Sequence, residues 1–299
     1  MAPTLGLRDP DRTIVERWAW ATVVANSIII LTGGLVRLTG SGLGCPTWPK
    51  CTDESFVPHR ELGMHGLIEF GNRLLTYVLI AVVVATFVAV WRWSGTNRRM
   101  RQLAALIALG VPFQGVIGGI TVLTDLNPWI VSLHLLLSMV LVSASILLLF
   151  RVRGEGRVGT RRPIIVLTYV VSWVVVYLGT VVTGSGPHAG DDESPRNLLD
   201  PRLMSHVHAW GVYLLVALTL LVIWKESGRV RTAAIVLLGV ELAQGLIGFV
   251  QYFNDLPITL VAAHLIGAAV LMAAATALLL TPDHAPRRIA EPSRDTSRV

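Results

Sequence analysis

Five of the eight histidines, His65, His134, His206, His208 and His264, sit inside long apolar runs, each near one end of its run. Polar groups at membrane depth are costly and mark sites of function. Proline supplies a depth scale, because at the first helical position it forfeits no hydrogen bond that the helix would have made. Pro58 precedes His65 by seven residues, Pro128 precedes His134 by six, Pro201 precedes His208 by seven and Pro257 precedes His264 by seven. Each half of the chain thus offers two imidazoles at matched depth. Two facing histidines in a helical bundle are what a haem iron needs as axial ligands. Zinc suits the pattern less, since it takes a tetrahedral set of four, or three plus water, and no cysteine stands near. The spacing predicts two haem pockets, one per half. In the run HVHAWGVY, His206 and His208 are both open as the ligand.

The halves differ in what surrounds these histidines. Glu69, Asn72 and Arg73 follow His65 at i+4, i+7 and i+8, within about a 100° sector of one helix. No carboxylate stands near His208. An acid beside one pocket only predicts electron transfer at one site and chemistry at the other. Asn72 competes with His65 as the residue facing the metal: counting back from RWSG (92–95) against KESG (225–228) brings Asn72 near His206. The proline scale selects His65. Arg37 and Arg73, near the ends of their spans, suit haem propionates as well as they suit snorkelling to the interface. Glu241 has no counterpart in the first half, where Val111 takes its place, and reads as a structural acid or a proton route. Trp48 reads as an interfacial anchor.

The elements that must position these groups are membrane helices. Of 299 residues, 53% are hydrophobic and 15% charged, with mean hydropathy +0.62; soluble domains carry about 25% charged residues. Eight runs are long enough to span a bilayer, at about 18–38, 63–91, 100–120, 129–150, 162–183, 203–224, 232–252 and 258–280. The first is too long for a signal peptide and is taken as a retained span. The net charge of +6 and pI near 9.9 do not point to nucleic acid, because the basic residues lie on one side. Arg8, Arg12 and Arg17 precede the first span; Arg92, Arg98, Arg99 and Arg101 follow the second. Arg151, Arg153, Arg157, Arg161 and Arg162 follow the fourth, Lys225, Arg229 and Arg231 the sixth, and Arg287, Arg288, Arg294 and Arg298 the eighth. By the positive-inside rule that side is cytoplasmic, with both termini inside and the pockets towards the external face. The two cysteines, Cys45 and Cys51, fall in the first external loop, where a disulfide can persist; two free thiols are the alternative.

The chain also repeats itself. QGVIGGITVLTDLNPWIVSLHLL from Gln114 matches QGLIGFVQYFNDLPITLVAAHLI from Gln244, and in both twenty positions separate Gln from His. TGSGLG (39–44) matches TGSGPH (183–188). The chain divides into residues 1–150 and 151–299, each a four-helix half. Four is even, so the halves share orientation about an axis along the membrane normal.

The stretch GGLVRLTGSGLGCPTWPKC (33–51), EFGNR (69–73), the paired histidines and the duplicated eight-span plan together resemble the haem A synthase family. The resemblance implies an all-α integral membrane enzyme that oxidises the C8 methyl of haem O to a formyl group by successive hydroxylations. It implies haem O in the N-terminal half and a haem B cofactor in the C-terminal half. Carried onto this chain, it implies Glu69 as the catalytic carboxylate, His134 as a haem O ligand, His208 with His264 as haem B ligands, and Cys45 with Cys51 as an external disulfide. His65 is taken as the second haem O ligand. Some members read Glu-x-x-His-Arg where this chain has Asn72, and the loop after TGSGPHAG lacks the second cysteine pair that some carry. Implied partners are haem O synthase, cytochrome oxidase assembly factors and membrane lipid, with homo-oligomerisation open. A non-catalytic dihaem cytochrome of quinol-linked electron transfer and a haem-free transporter are the rival readings.

Overall fold

The structure is a computed structural model and describes residues 8–155 and 162–282. Arg157, Arg161, His284, Arg287, Arg288, Arg294 and Arg298 lie outside the described residues. Among those described there is no strand. The elements are α1 (Arg12–Leu38), a 3-10 turn (Arg60–Leu62), α2 (Gly63–Arg92), α3 (Arg98–Leu123), α4 (Pro128–Val152), α5 (Pro163–Ser185), α6 (Pro201–Lys225), α7 (Gly228–Tyr252) and α8 (Ile258–Leu280). All eight α-helices are long and apolar enough to cross a membrane, as the apolar runs predict.

Local chemistry sets most of the helix starts. Asp11 caps α1 by accepting from the Ile14 amide at 2.8 Å, and Asp200 caps α6 by accepting from Leu203 at 2.7 Å. Asn127 caps α4 ahead of Pro128, and Pro201 likewise opens α6. Pro58 does not behave this way. It lies before the 3-10 turn, and α2 begins only at Gly63, whose φ of +54° a side-chain-bearing residue would resist. His65 is therefore the third residue of its helix, whereas His134, His208 and His264 are the seventh, eighth and seventh of theirs. The expected equal depth of the four histidines fails at His65.

Helices α1 to α4 pack as a closed ring in which α1 touches α2 and α4, and α3 touches α2 and α4. Helices α5 to α8 form the same ring. The rings meet along a seam where α4 packs on α8, α1 on α8 and α4 on α5. Deep in this seam Thr276 Oγ1 donates to Ser143 Oγ at 3.1 Å. At one end, ion pairs link the helix termini: Arg153 with Glu16, Arg229 with Glu155, and Arg162 with Glu226. This is the basic end. At the other, the disulfide end, the first TGSG turn joins the loop that follows the second, with the Gly42 amide donating to the Gly190 carbonyl at 2.8 Å.

Candidate functional site

In the second ring α6 and α8 lie on a diagonal, and His208 and His264 point from them into the centre. Their ring centroids are 6.5 Å apart with the planes at 80°. A metal held about 2 Å from each donor nitrogen, with each centroid about 1 Å behind its nitrogen, needs about 6 Å between centroids. His208 and His264 are thus the residues that would hold a metal between them. His208 Nδ1 lies 3.1 Å from the Val175 carbonyl, which can only accept, so Nδ1 carries the hydrogen and Nε2 keeps its lone pair for a metal. Gly179 makes room for the His208 ring, since a Cβ there would stand 3.3 Å from Cε1, and Gly248 lies alongside the His264 ring. His206 is exposed and bonds back to the Arg202 carbonyl at 2.8 Å. Between the two neighbours, His208 faces the centre.

The first ring repeats half of this arrangement. His134 on α4 packs against Gly118 of α3, where a Cβ would lie 3.4 Å from its Cε1. Its Nδ1 is buried with no hydrogen-bond partner. Gln114 Nε2 fastens α3 to this part of α4, donating to the His134 carbonyl at 2.9 Å and to Ser138 Oγ at 2.6 Å. Across the diagonal, on α2, the residue at matching depth is Asn72. Its Oδ1 accepts from Thr32 Oγ1 at 2.8 Å, and Thr32 is seven residues before Thr39 of the first TGSG turn. His208 lies against Val175 and Gly179, eight and four residues before Thr183 of the second turn. His65 instead pairs through Nδ1 with Ser41 Oγ at 2.9 Å, beyond Thr39, and is exposed. The proline scale misplaced it because Pro58 stands outside the helix.

Glu69 is buried one turn from Asn72, towards the disulfide end. Its Oε2 accepts from the Cys45 amide at 2.6 Å, and its Oε1 accepts from Arg73 Nε at 3.1 Å and Nη2 at 2.5 Å. The Arg73 fork also donates to the carbonyls of Lys50, Cys45 and Thr47, each at 3.0 Å. Glu69 and Arg73 thereby hold the whole 45–51 loop, which the Cys45–Cys51 disulfide closes. Every nitrogen of Arg73 is engaged in this contact, which leaves it poorly placed for a propionate. Arg37 differs: Nη2 donates to the Thr183 carbonyl across the seam at 2.8 Å, while Nε is buried without a partner.

That loop carries Trp48 onto α3. The indole fills the space above Gly119 where a side chain would stand, next to the Gly118 that faces His134. Trp48 therefore packs onto α3 beside the residue that faces His134. The repeat holds a signal for this contact, since the matching residue in the second half is not glycine but Phe249. Glu241, midway along α7, is buried; Oε1 accepts from Thr219 Oγ1 at 2.7 Å and Oε2 has no partner.

Residues 16–276 match the family model COX15-CtaA, described as cytochrome oxidase assembly protein. The chain belongs to this family. A "Heme A synthase" of Brucella anthropi is 27% identical over 90% of this chain and 92% of its own length. A "Heme A synthase" of Lysinibacillus sphaericus is 33% identical over 56% of this chain and 57% of its own. One from Listeria monocytogenes is 25% identical over 57% of this chain and 59% of its own. Family membership and the eight candidate spans make this a multi-pass membrane protein of the oxidase assembly family.

Proposed function

We propose that the chain is a haem A synthase, oxidising the C8 methyl of haem O to a formyl group. The family match and the name its relatives share support this reading, and one structural observation carries it further. The two rings are built alike but furnished differently. The second holds a bare histidine pair 6.5 Å apart, suited to a haem B that passes electrons. The first has His134 on α4 and, on the diagonal helix α2, a buried carboxylate, Glu69, bonded to a disulfide-closed loop. Electron transfer alone needs neither acid nor cover, which disfavours a purely electron-carrying dihaem cytochrome.

A bound haem supplies one-electron redox chemistry at each pocket. The protein's part is to bind, orient and exclude water. His208 and His264 hold the cofactor, with the Val175 carbonyl fixing the His208 tautomer. His134 holds the substrate, its helix fastened by Gln114. Trp48 and the 45–51 loop shield the pocket from water. Glu69, paired with Arg73, is the acid of this half and would either relay protons or stabilise positive charge developing at the methyl carbon. Arg37, with Nε uncommitted, is the better placed of the two arginines for a propionate. The Arg-rich end lies in the cytoplasm with both termini, and the pockets lie towards the external face. Haem O synthase and oxidase assembly factors are the expected partners.

The test is co-expression with haem O synthase followed by extraction and chromatographic identification of the haems. Wild-type protein should yield haem A, and Glu69→Gln should retain haem O or a partly oxidised haem. Unchanged haem O from the wild type would return the chain to an electron-carrying role.

A further inference from the structure

We propose that the iron of the substrate haem has no strong protein ligand opposite His134, so that one coordination position is open to exchange. The inference rests on the haem reading above and deepens it. It begins from the diagonal α2–α4, which corresponds to α6–α8. On α6 the inward residue at ligand depth is His208; on α2 it is Asn72, set by its hydrogen bond to Thr32. A neutral amide is a poor substitute for imidazole. Its nitrogen lone pair is delocalised, and its oxygen is a hard donor already accepting from Thr32 Oγ1 at 2.8 Å.

No neighbour on α2 takes over the role. His65 lies seven residues further out, about 10 Å along the axis, and its Nδ1 is paired with Ser41. Both oxygens of Glu69 are held by Arg73 and the Cys45 amide. The two irons therefore differ in kind. The one between His208 and His264 is saturated and exchanges electrons only, whereas the one on His134 has room for a water or a small diatomic beside the Thr32 hydroxyl and the Asn72 amide.

The experiment adds carbon monoxide to the dithionite-reduced, two-haem protein, and records the spin state of the ferric form. Carbon monoxide should bind half of the total haem in the wild type, and the ferric protein should show one high-spin and one low-spin haem. Asn72→His should abolish carbon monoxide binding and convert the high-spin signal to low spin. Asn72→Ala, which tests the same point without a new ligand, should bind as the wild type does. A fully low-spin wild type that binds no carbon monoxide would overturn the proposal. So would binding that appears only in His65→Ala, which would make His65 the ligand. Failure of the haem reading looks different: His134→Ala would then leave every haem signal unchanged.

Discussion

Glu69 meets three donors, one from the Cys45 amide and two from Arg73, so its carboxylate braces the 45–51 loop, beside its proposed role in the reaction. Substitutions separate these roles. Glu69→Gln keeps the volume and an acceptor oxygen, and Arg73 keeps its three backbone carbonyls. The loop should stay closed while haem A formation stops, as the extracted haems would show. Arg73→Ala leaves a buried carboxylate without its cation. Breaking a buried pair in this way costs about 3–5 kcal/mol, so the loop should open, read as faster hydrogen exchange across 45–51. Trp48→Ala should let water into the first pocket and lower haem A yield, with the visible spectrum of the second pocket intact. If the Trp48→Ala yield equals the wild-type yield, the indole is not a cover. Nothing in the local sequence reveals the Trp48–Gly119 contact, because it joins residues distant along the chain; only the Gly-for-Phe difference between the repeats hints at it.

The helices themselves were legible because runs of about 20 apolar residues have few other uses. Their starts were legible where proline follows a capping side chain, as at Asn127-Pro128 and Asp200-Pro201. Pro58 shows the limit: a proline in a loop looks the same in sequence as one opening a helix. The depth of Asn72 needed a hydrogen bond from another helix, and neither counting scheme contains that information. His208 over His206 is likewise decided by which side of α6 meets α5. At this scale the expected result is selective loss. His208→Ala or His264→Ala should remove the C-terminal haem spectrum, and His134→Ala should leave most of it. Replacing Cys45 and Cys51 together by Ser should lower haem A yield while both pockets still bind, since neither sulfur faces a histidine pair.

Across the whole molecule, stability depends in part on ion pairs that tie helix ends together at the basic end. Arg162 at the start of α5 pairs with Glu226, whose side chain is 2% exposed, in the turn between α6 and α7. Arg162→Ala should lower the apparent Tm in detergent by several degrees, because a buried carboxylate loses its cation. A Tm within one degree of wild type would place the strength of this region elsewhere. The seam has a further implication for ancestry. With α4 against α8, and α1 on α8 mirrored by α5 on α4, each ring offers the other the same surface. That is the isologous contact of a two-fold homodimer, and a gene for one four-helix unit could have assembled this way before duplication and fusion. In a homodimer any substitution falls in both copies, so histidine at the α6 position and asparagine at its α2 equivalent could never coexist. Fusion would remove that constraint and leave the two halves free to take up the different roles proposed for them.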